Sequence, residues 1–400
     1  MAAAEKAQSV EVCVFLLVLI VSSCQSLFYG GKTFKRELSV QLNPDASPSP
    51  SGFDLLHVRA VGQNDTLHYL FCSQGAPTLL LVHTNSISST VKVNWTQFSA
   101  PNSSGGLTVE PQSSILYSSA VVFSRLWEYD DVNDTAEATS EFFPPYELQD
   151  FSWAHLNLSG TTSLLCGTPP NTINGSLCLQ LTAFDSEGRV ELWPRLLHSA
   201  NSSQLEVWLD GLLPRGNHSR FMLELQAVGG AYPLSRVDGR QFIDDEFTPS
   251  IFKMFQWVSS MNGSSDILGF VQWKPVAYRK SHPLLEDATP CRHSDPRSQS
   301  GKETAASSGL IRAFYLDPAV VGLNVSFGLA GEPFYNKTMF LSWTMLVGVG
   351  APPVDSFSPL VLTIMVVCLG TPVILLLLGG VFVFLYKKRQ AATTAYEPIN

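Results

Sequence analysis

Thr90-Val91-Lys92-Val93-Asn94-Trp95-Thr96 places Val91, Val93 and Trp95 on one side of an extended chain and Lys92 and Asn94 on the other. Such alternation predicts a half-buried strand, because successive side chains of extended backbone point to opposite faces. Short β-branched and aromatic runs recur at 55–61, 66–71, 78–83, 121–127, 177–183, 205–209, 221–228, 268–273, 311–316 and 338–343, separated by Ser, Asn, Gly and Pro clusters. Between residues 27 and 356 no window sustains the 3.6-residue spacing of a helix. The fold class expected is therefore an all-β, sandwich-like domain. About 330 residues exceed one ordinary sandwich, so two packed lobes are expected. Residues 281–309 are polar and almost free of large apolar side chains, which predicts an irregular surface loop with Cys291 stapling it down.

Two apolar segments flank this region. Residues 12–21 form a ten-residue run followed by Ser22, Ser23, Cys24 and Ser26. A helix needs about 20 apolar residues to cross a bilayer, so the run fits a signal peptide over residues 1–24. The second segment, 360–386, holds 27 residues without a charge and meets Lys387-Lys388-Arg389 at once. It predicts a transmembrane helix, and the basic cluster predicts a cytosolic tail, 387–400. A lumenal domain over 25–357, on a single-pass type I chain, is the topology that follows.

Asn-X-Ser/Thr triplets begin at Asn64, Asn94, Asn102, Asn133, Asn157, Asn174, Asn201, Asn217, Asn262, Asn324 and Asn336, eleven of the fifteen asparagines. With 69 Ser and Thr in 400 residues, chance supplies only about 2.6 such triplets. All eleven lie between the apolar segments, where a lumenal domain would receive N-glycans at its surface. Four cysteines fall in the same region: Cys72, Cys166, Cys178 and Cys291. An even number in an oxidising lumen predicts two disulfides with three possible connectivities, Cys166 with Cys178 being the local choice. Zinc is the competing use, but no C-x-x-C pair exists and only Cys291-Arg292-His293 brings two ligand types together.

Residues that could carry chemistry give little. Gly31-Lys32-Thr33 resembles the end of a phosphate loop, but Ser26 stands where its first glycine belongs. Neither a G-x-S-x-G nor an H-E-x-x-H motif occurs. Asp130-Asp131 and Asp244-Asp245-Glu246 are the acidic groups a lumenal hydrolase would need, although adjacent acids more often solvate a surface. No catalytic, cofactor-binding or metal residue is assigned. The formal net charge of −9 argues against nucleic acid as a partner. The eight histidines carry no ligand spacing, and near pH 5 unperturbed histidines would take up protons and bring the charge toward neutrality.

The tail holds Tyr396-Glu397-Pro398-Ile399, a Tyr-x-x-apolar signal of the kind clathrin adaptors read. Pro398 biases Glu397 toward an extended conformation, which suits strand addition to an adaptor, with Tyr396 and Ile399 entering separate pockets.

Several longer strings carry a resemblance: Leu56-His57-Val58-Arg59-Ala60-Val61-Gly62, Val93-Asn94-Trp95, Asp150-Phe151-Ser152-Trp153, Ile243-Asp244-Asp245-Glu246, Gln272-Trp273-Lys274-Pro275-Val276-Ala277-Tyr278, and the run from Leu341 through Pro359. In these the chain resembles the glycosylated lysosomal membrane protein family. The resemblance implies a lysosomal membrane location and a non-enzymatic accessory subunit of a major-facilitator transporter, one resembling a dipeptide exporter. The glycosylated domain would cap that transporter and protect it from proteolysis, and the tail would direct the pair to lysosomes. A lumenal hydrolase and a cargo receptor are the alternatives. No motif identifies transporter-contact residues.

Overall fold

The apolar runs pair into two antiparallel sheets in a computed structural model that describes residues 34–46, 52–100, 104–138, 142–170, 174–241, 253–261, 266–354 and 359–394. The first sheet runs Glu37–Leu42, Leu55–Val61, Thr66–Cys72, Thr78–Thr84, Ile115–Asp130, Ser219–Gly229 and Ala319–Phe327. The second runs Asn157–Ser159, Thr162–Thr168, Ser176–Ala183, Ser202–Asp210, Phe340–Val349, Ile267–Trp273, Lys253–Ser260 and Arg236–Gln241. Their inner faces share one core, in which Leu56, Val58, Tyr69 and Phe123 of the first meet Leu179, Leu205, Trp273 and Trp343 of the second. The two lobes expected resolve into two facing sheets of one unit, Phe34–Val354.

The strands Leu55–Val61, Thr66–Cys72 and Thr78–Thr84 of the first sheet are buried on both sides, which explains why they read as near-continuous apolar runs. Along Leu79-Leu80-Leu81-Val82 the side chains alternate between the inter-sheet core and a second core on the outer face. A roof covers that outer core, formed by the hairpin Thr90–Val93 with Leu107–Glu110 and the helices Trp95–Ser99 and Gly309–Phe314. In the opening heptapeptide Val91 is buried in the outer core and Val93 and Trp95 pack against it, as the alternation predicts. The strand nevertheless stops at Val93. Asn94 ends it by accepting the backbone N–H of Gln97 (3.2 Å) on its side-chain oxygen, so that Trp95 begins a helix.

Two further expectations need correction. Residues 311–316 do not extend as a strand, because Ser308 accepts the N–H of Ile311 (3.4 Å) and starts the helix Gly309–Phe314. Residues 281–309 are not wholly irregular. They contain the strand Ala288–His293, the short strand Arg297–Gln299 and the helix Gly301–Ser307. Small buried groups, Thr289 and Cys291, supply the inward face that the sequence's lack of large apolar residues concealed. This strand is the seam of the sandwich. It pairs with Val276–Tyr278, itself bonded to Phe340–Val349 of the second sheet, and with Ala319–Phe327 of the first.

The helix Pro359–Thr394 is a separate unit. Its stretch Thr363–Gln390, 28 residues, is long and apolar enough to cross a membrane. At about 1.5 Å per residue it extends about 42 Å, beyond the roughly 30 Å of a bilayer's hydrocarbon.

Candidate functional site

The acceptor asparagines are the largest group of sequence-predicted site residues, and the strands distribute them around the sandwich. Asn64, Asn94, Asn133, Asn157, Asn174 and Asn217 are exposed, whereas Asn201, Asn324 and Asn336 are half-buried. Asn102 and Asn262 lie outside the described residues, as do the signal segment, the tail residues Tyr396 and Ile399, and Asp244-Asp245-Glu246. At the Asn94 cap it is the side-chain oxygen that holds the helix, which leaves the amide nitrogen, the atom a glycan would take, turned to solvent.

Asn133, Asn217 and Asn336 gather at the end of the sandwich where Ile115–Asp130 finishes. A buried ion pair organises this Asp130 end. Arg220 donates from Nε to Asp131 (2.7 Å) and from Nη2 to Asp134 (2.6 Å) and to the Leu329 carbonyl (3.1 Å). Asp131 in turn accepts the backbone N–H groups of Thr135 (2.9 Å) and Ala136 (2.8 Å), which shapes the loop bearing Asn133. Burial alone would raise the Asp131 carboxyl, but the Arg220 guanidinium and those N–H groups hold it below its ordinary range. Beside it Glu128, fully buried, accepts from Arg215 N and Nε and from Ser219 Oγ, each at 2.6 Å. Asn336 donates to the Asn217 carbonyl (2.9 Å), joining two acceptor loops. Asp130 and Asp131 are therefore structural. Asp131 is committed to Arg220, and the Asp130 carboxylate accepts the His218 N–H (3.2 Å).

Asn64 and Asn201 sit at the opposite end, where Phe340–Val349 finishes. Here Arg36, also buried, bridges the sheets. It donates to Asp65 through Nη1 (2.9 Å) and Nη2 (2.6 Å), and to the Asn201 side-chain oxygen through Nε (3.0 Å) and Nη2 (2.9 Å). His83 lies 2.9 Å from the same Asp65. Burial would raise the Asp65 carboxyl, yet Arg36 first and His83 second keep it lowered.

His57 and His68 are buried and joined by a 3.0 Å hydrogen bond, with His68 Nε2 2.8 Å from Ser89 Oγ. One neutral assignment satisfies the chain: His57 Nε2 donates to His68 Nδ1, His68 Nε2 donates to Ser89 Oγ, and Ser89 Oγ donates to the Ser86 carbonyl (3.1 Å). Burial pushes His57 down to about 4, with Arg59 adding to it. Burial, then His57 and Arg59, pushes His68 down to about 3. These two do not gain charge at pH 5, which corrects the expectation that the histidines titrate as a free set. The pair was within reach of the sequence: the hairpin Leu55–Val61 with Thr66–Cys72 sets His57 opposite Leu70, hence diagonal to His68 on one face.

The cysteines form one disulfide. Cys166 and Cys178 are cross-strand partners and are bonded. The second expected bond is not made, because Cys72 belongs to the outer core and Cys291 to the inter-sheet core, on opposite faces of the first sheet. Both thiols behave as small buried apolar groups, Cys72 pushed up to about 12 by burial and Cys291 raised by burial as well.

One groove opens on the outer face of the first sheet. It encloses about 410 Å³, with Gly322, Asn324 and Ser326 along its floor, Phe142 and Met222 among its lining residues, and Arg292, Arg297 and Gln299 around them. Sequence reasoning missed it, since its walls come from segments far apart in the chain.

Comparison with known proteins places these features in a family. The family model described as glycosylated lysosomal membrane protein matches residues 54–390. A relative of that name from Danio rerio is 53% identical over 400 residues, covering 96% of this chain and 97% of the relative. One from Mus musculus is 40% identical over 96% of this chain and 95% of its own length, and one from Homo sapiens 41% identical over 87% of each. These relatives are named as membrane proteins and not as enzymes. The chain, a β-sandwich followed by one apolar helix, belongs to the glycosylated lysosomal membrane protein family.

Proposed function

We propose that this protein is a non-enzymatic accessory subunit that stabilises a lysosomal major-facilitator transporter for dipeptides and shields it from proteolysis. In this reading the sandwich is lumenal, the C-terminus is cytosolic, and a clathrin adaptor reads Tyr396 and Ile399. The observation that carries the proposal is the placing of acceptor asparagines at both ends of the sandwich, on its edge strand at Asn157 and on its roof at Asn94. Sugars at those positions would deny proteases the loops they cut first, which are exposed loop tips. The buried charges support the same reading, because Asp131, Glu128 and Arg220 are engaged in holding one another's loops.

Crosslinking the full-length protein in intact lysosomes and purifying it in mild detergent tests the proposal. A polytopic transport protein is expected among the crosslinked species, and depletion of this chain should shorten that partner's lifetime. Recovery of no polytopic partner overturns the reading. Capture of soluble cargo at neutral pH with release on acidification would replace it with the receptor alternative. Of the hydrolase alternative, only Asp244, Asp245 and Glu246 remain as candidates.

A further inference from the structure

Asn324 differs from the other acceptors in its surroundings. Asn64, Asn133, Asn174 and Asn217 occupy turns or bends and Asn157 begins a short exposed edge strand, whereas Asn324 stands half-buried in the interior of the strand Ala319–Phe327. On one side it pairs with Glu224, and on the other its backbone accepts from Ser294 N (2.9 Å) and donates to Ser294 Oγ (3.1 Å). Its side chain forms the floor of the 410 Å³ groove, between the small residues Gly322 and Ser326 two positions away on the same face. The Asn324 side-chain amide makes no hydrogen bond to the protein among the described residues.

We propose that this groove is the seat of the first N-acetylglucosamine units of the N-glycan carried by Asn324 itself. Oligosaccharide is transferred to the chain before it folds, so a strand position is no barrier to attachment. The folded sheet must then place the sugar where the asparagine points, and here that place is a groove. Its volume lies in the range of small-ligand sites, about 300–1,000 Å³. Its lining matches the chemistry of the occupant. Phe142, 36% exposed and held by edge and tilted contacts to Trp127 (5.4 Å) and Tyr129 (5.7 Å), offers an aromatic face for the C–H side of a pyranose ring. Arg292, Arg297 and Gln299 offer donors for acetamido and hydroxyl oxygens. A free anion drawn to the two arginines, against the carboxylates of Glu137 and Asp295 in the same lining, is the rival occupant.

The proposal rests on the lumenal orientation given above, and the other acceptors serve as its control. Full-length glycoprotein in mild detergent is treated with peptide N-glycosidase, and site occupancy is followed by glycopeptide mass spectrometry. Asn324 should be occupied and released about tenfold more slowly than Asn64 or Asn133, and denaturation should abolish the difference. Phe142→Ala should bring its release close to that of the exposed sites. Should that variant fold poorly, Arg297→Ala at the exposed rim should accelerate release in the same direction. An empty Asn324 beside occupied neighbours, or release as fast as theirs, overturns the seat alone. Absence of glycan from every site overturns the lumenal reading along with it.

Discussion

At the Asp130 end of the sandwich the side chains of Arg220 and Asp131 are each 3% exposed, and they lock loops that belong to the first sheet. At the Val349 end Arg36 is 2% exposed but its partner Asp65 is 24% exposed, shared with His83, and the arginine reaches across to Asn201 of the second sheet. One end is thus held by the buried pair Arg220–Asp131, to which the part-exposed Asp134 adds, and the other by a partly wetted cluster that includes the His83 imidazole. A buried pair needs both members, since removal of one strands an uncompensated charge, while a wetted pair lets water substitute. The comparison teaches that charge at the Asp130 end shapes loops around acceptor asparagines, whereas charge at the Val349 end joins the sheets.

The comparison can be broken most directly at Arg220. Arg220→Ala leaves Asp131 buried without its cation and should cost about 3–5 kcal/mol, read as a lowered midpoint in chemical unfolding of the full-length glycoprotein. Arg36→Ala should cost less, about 1.5–3 kcal/mol, because Asp65 can turn to water and to His83. Equal losses from the two variants would erase the distinction between the ends.

Acidification probes the Val349 half through His57 and His68. Their folded pKa values, about 4 and about 3, lie below the unfolded value of 6.5, so the unfolded chain binds more protons between those limits. Stability from the pair is complete above about pH 6.5 and falls as the pH drops, by about 2 kcal/mol for each histidine at pH 5. Thermal unfolding at pH 7 and pH 5 should show this loss, and His57→Gln with His68→Gln should flatten it. An unchanged slope in that double variant would place the acid sensitivity elsewhere.

The smallest expected effect separates sugar from cap at Asn94. Asn94→Ala removes both the helix cap and the acceptor and should cost about 1 kcal/mol, whereas Thr96→Ala abolishes the acceptor triplet and keeps the cap. If Thr96→Ala destabilises as much as Asn94→Ala, the glycan and not the capping oxygen holds the roof in place.

The class of fold was legible because strands declare themselves locally. The runs at 55–61, 78–83 and 177–183 are strands in the structure, and the apolar segment 360–386 lies within one helix. The seam Ala288–His293 was not legible, since a strand that buries Thr289 and Cys291 beside exposed Arg292 carries little apolar signal. The acceptor triplets were visible as text, but their supports were not. Arg220 lies 89 positions from Asp131 and Arg36 lies 165 from Asn201, separations at which only the folded register brings partners together. The same holds for the cysteines, where an even count could not reveal that a sheet stands between Cys72 and Cys291.

The last strand has a mechanical consequence. Phe340–Val349 runs between Ser202–Asp210, with which it pairs over nine positions, and Ile267–Trp273. Its hydrogen bonds lie across the strand, so tension applied at Val349 along the strand axis loads both ladders in shear, with many bonds sharing the force, and does not open them one after another. The sandwich is thereby fastened, at the point where the polypeptide leaves it, by a strand laddered on both edges.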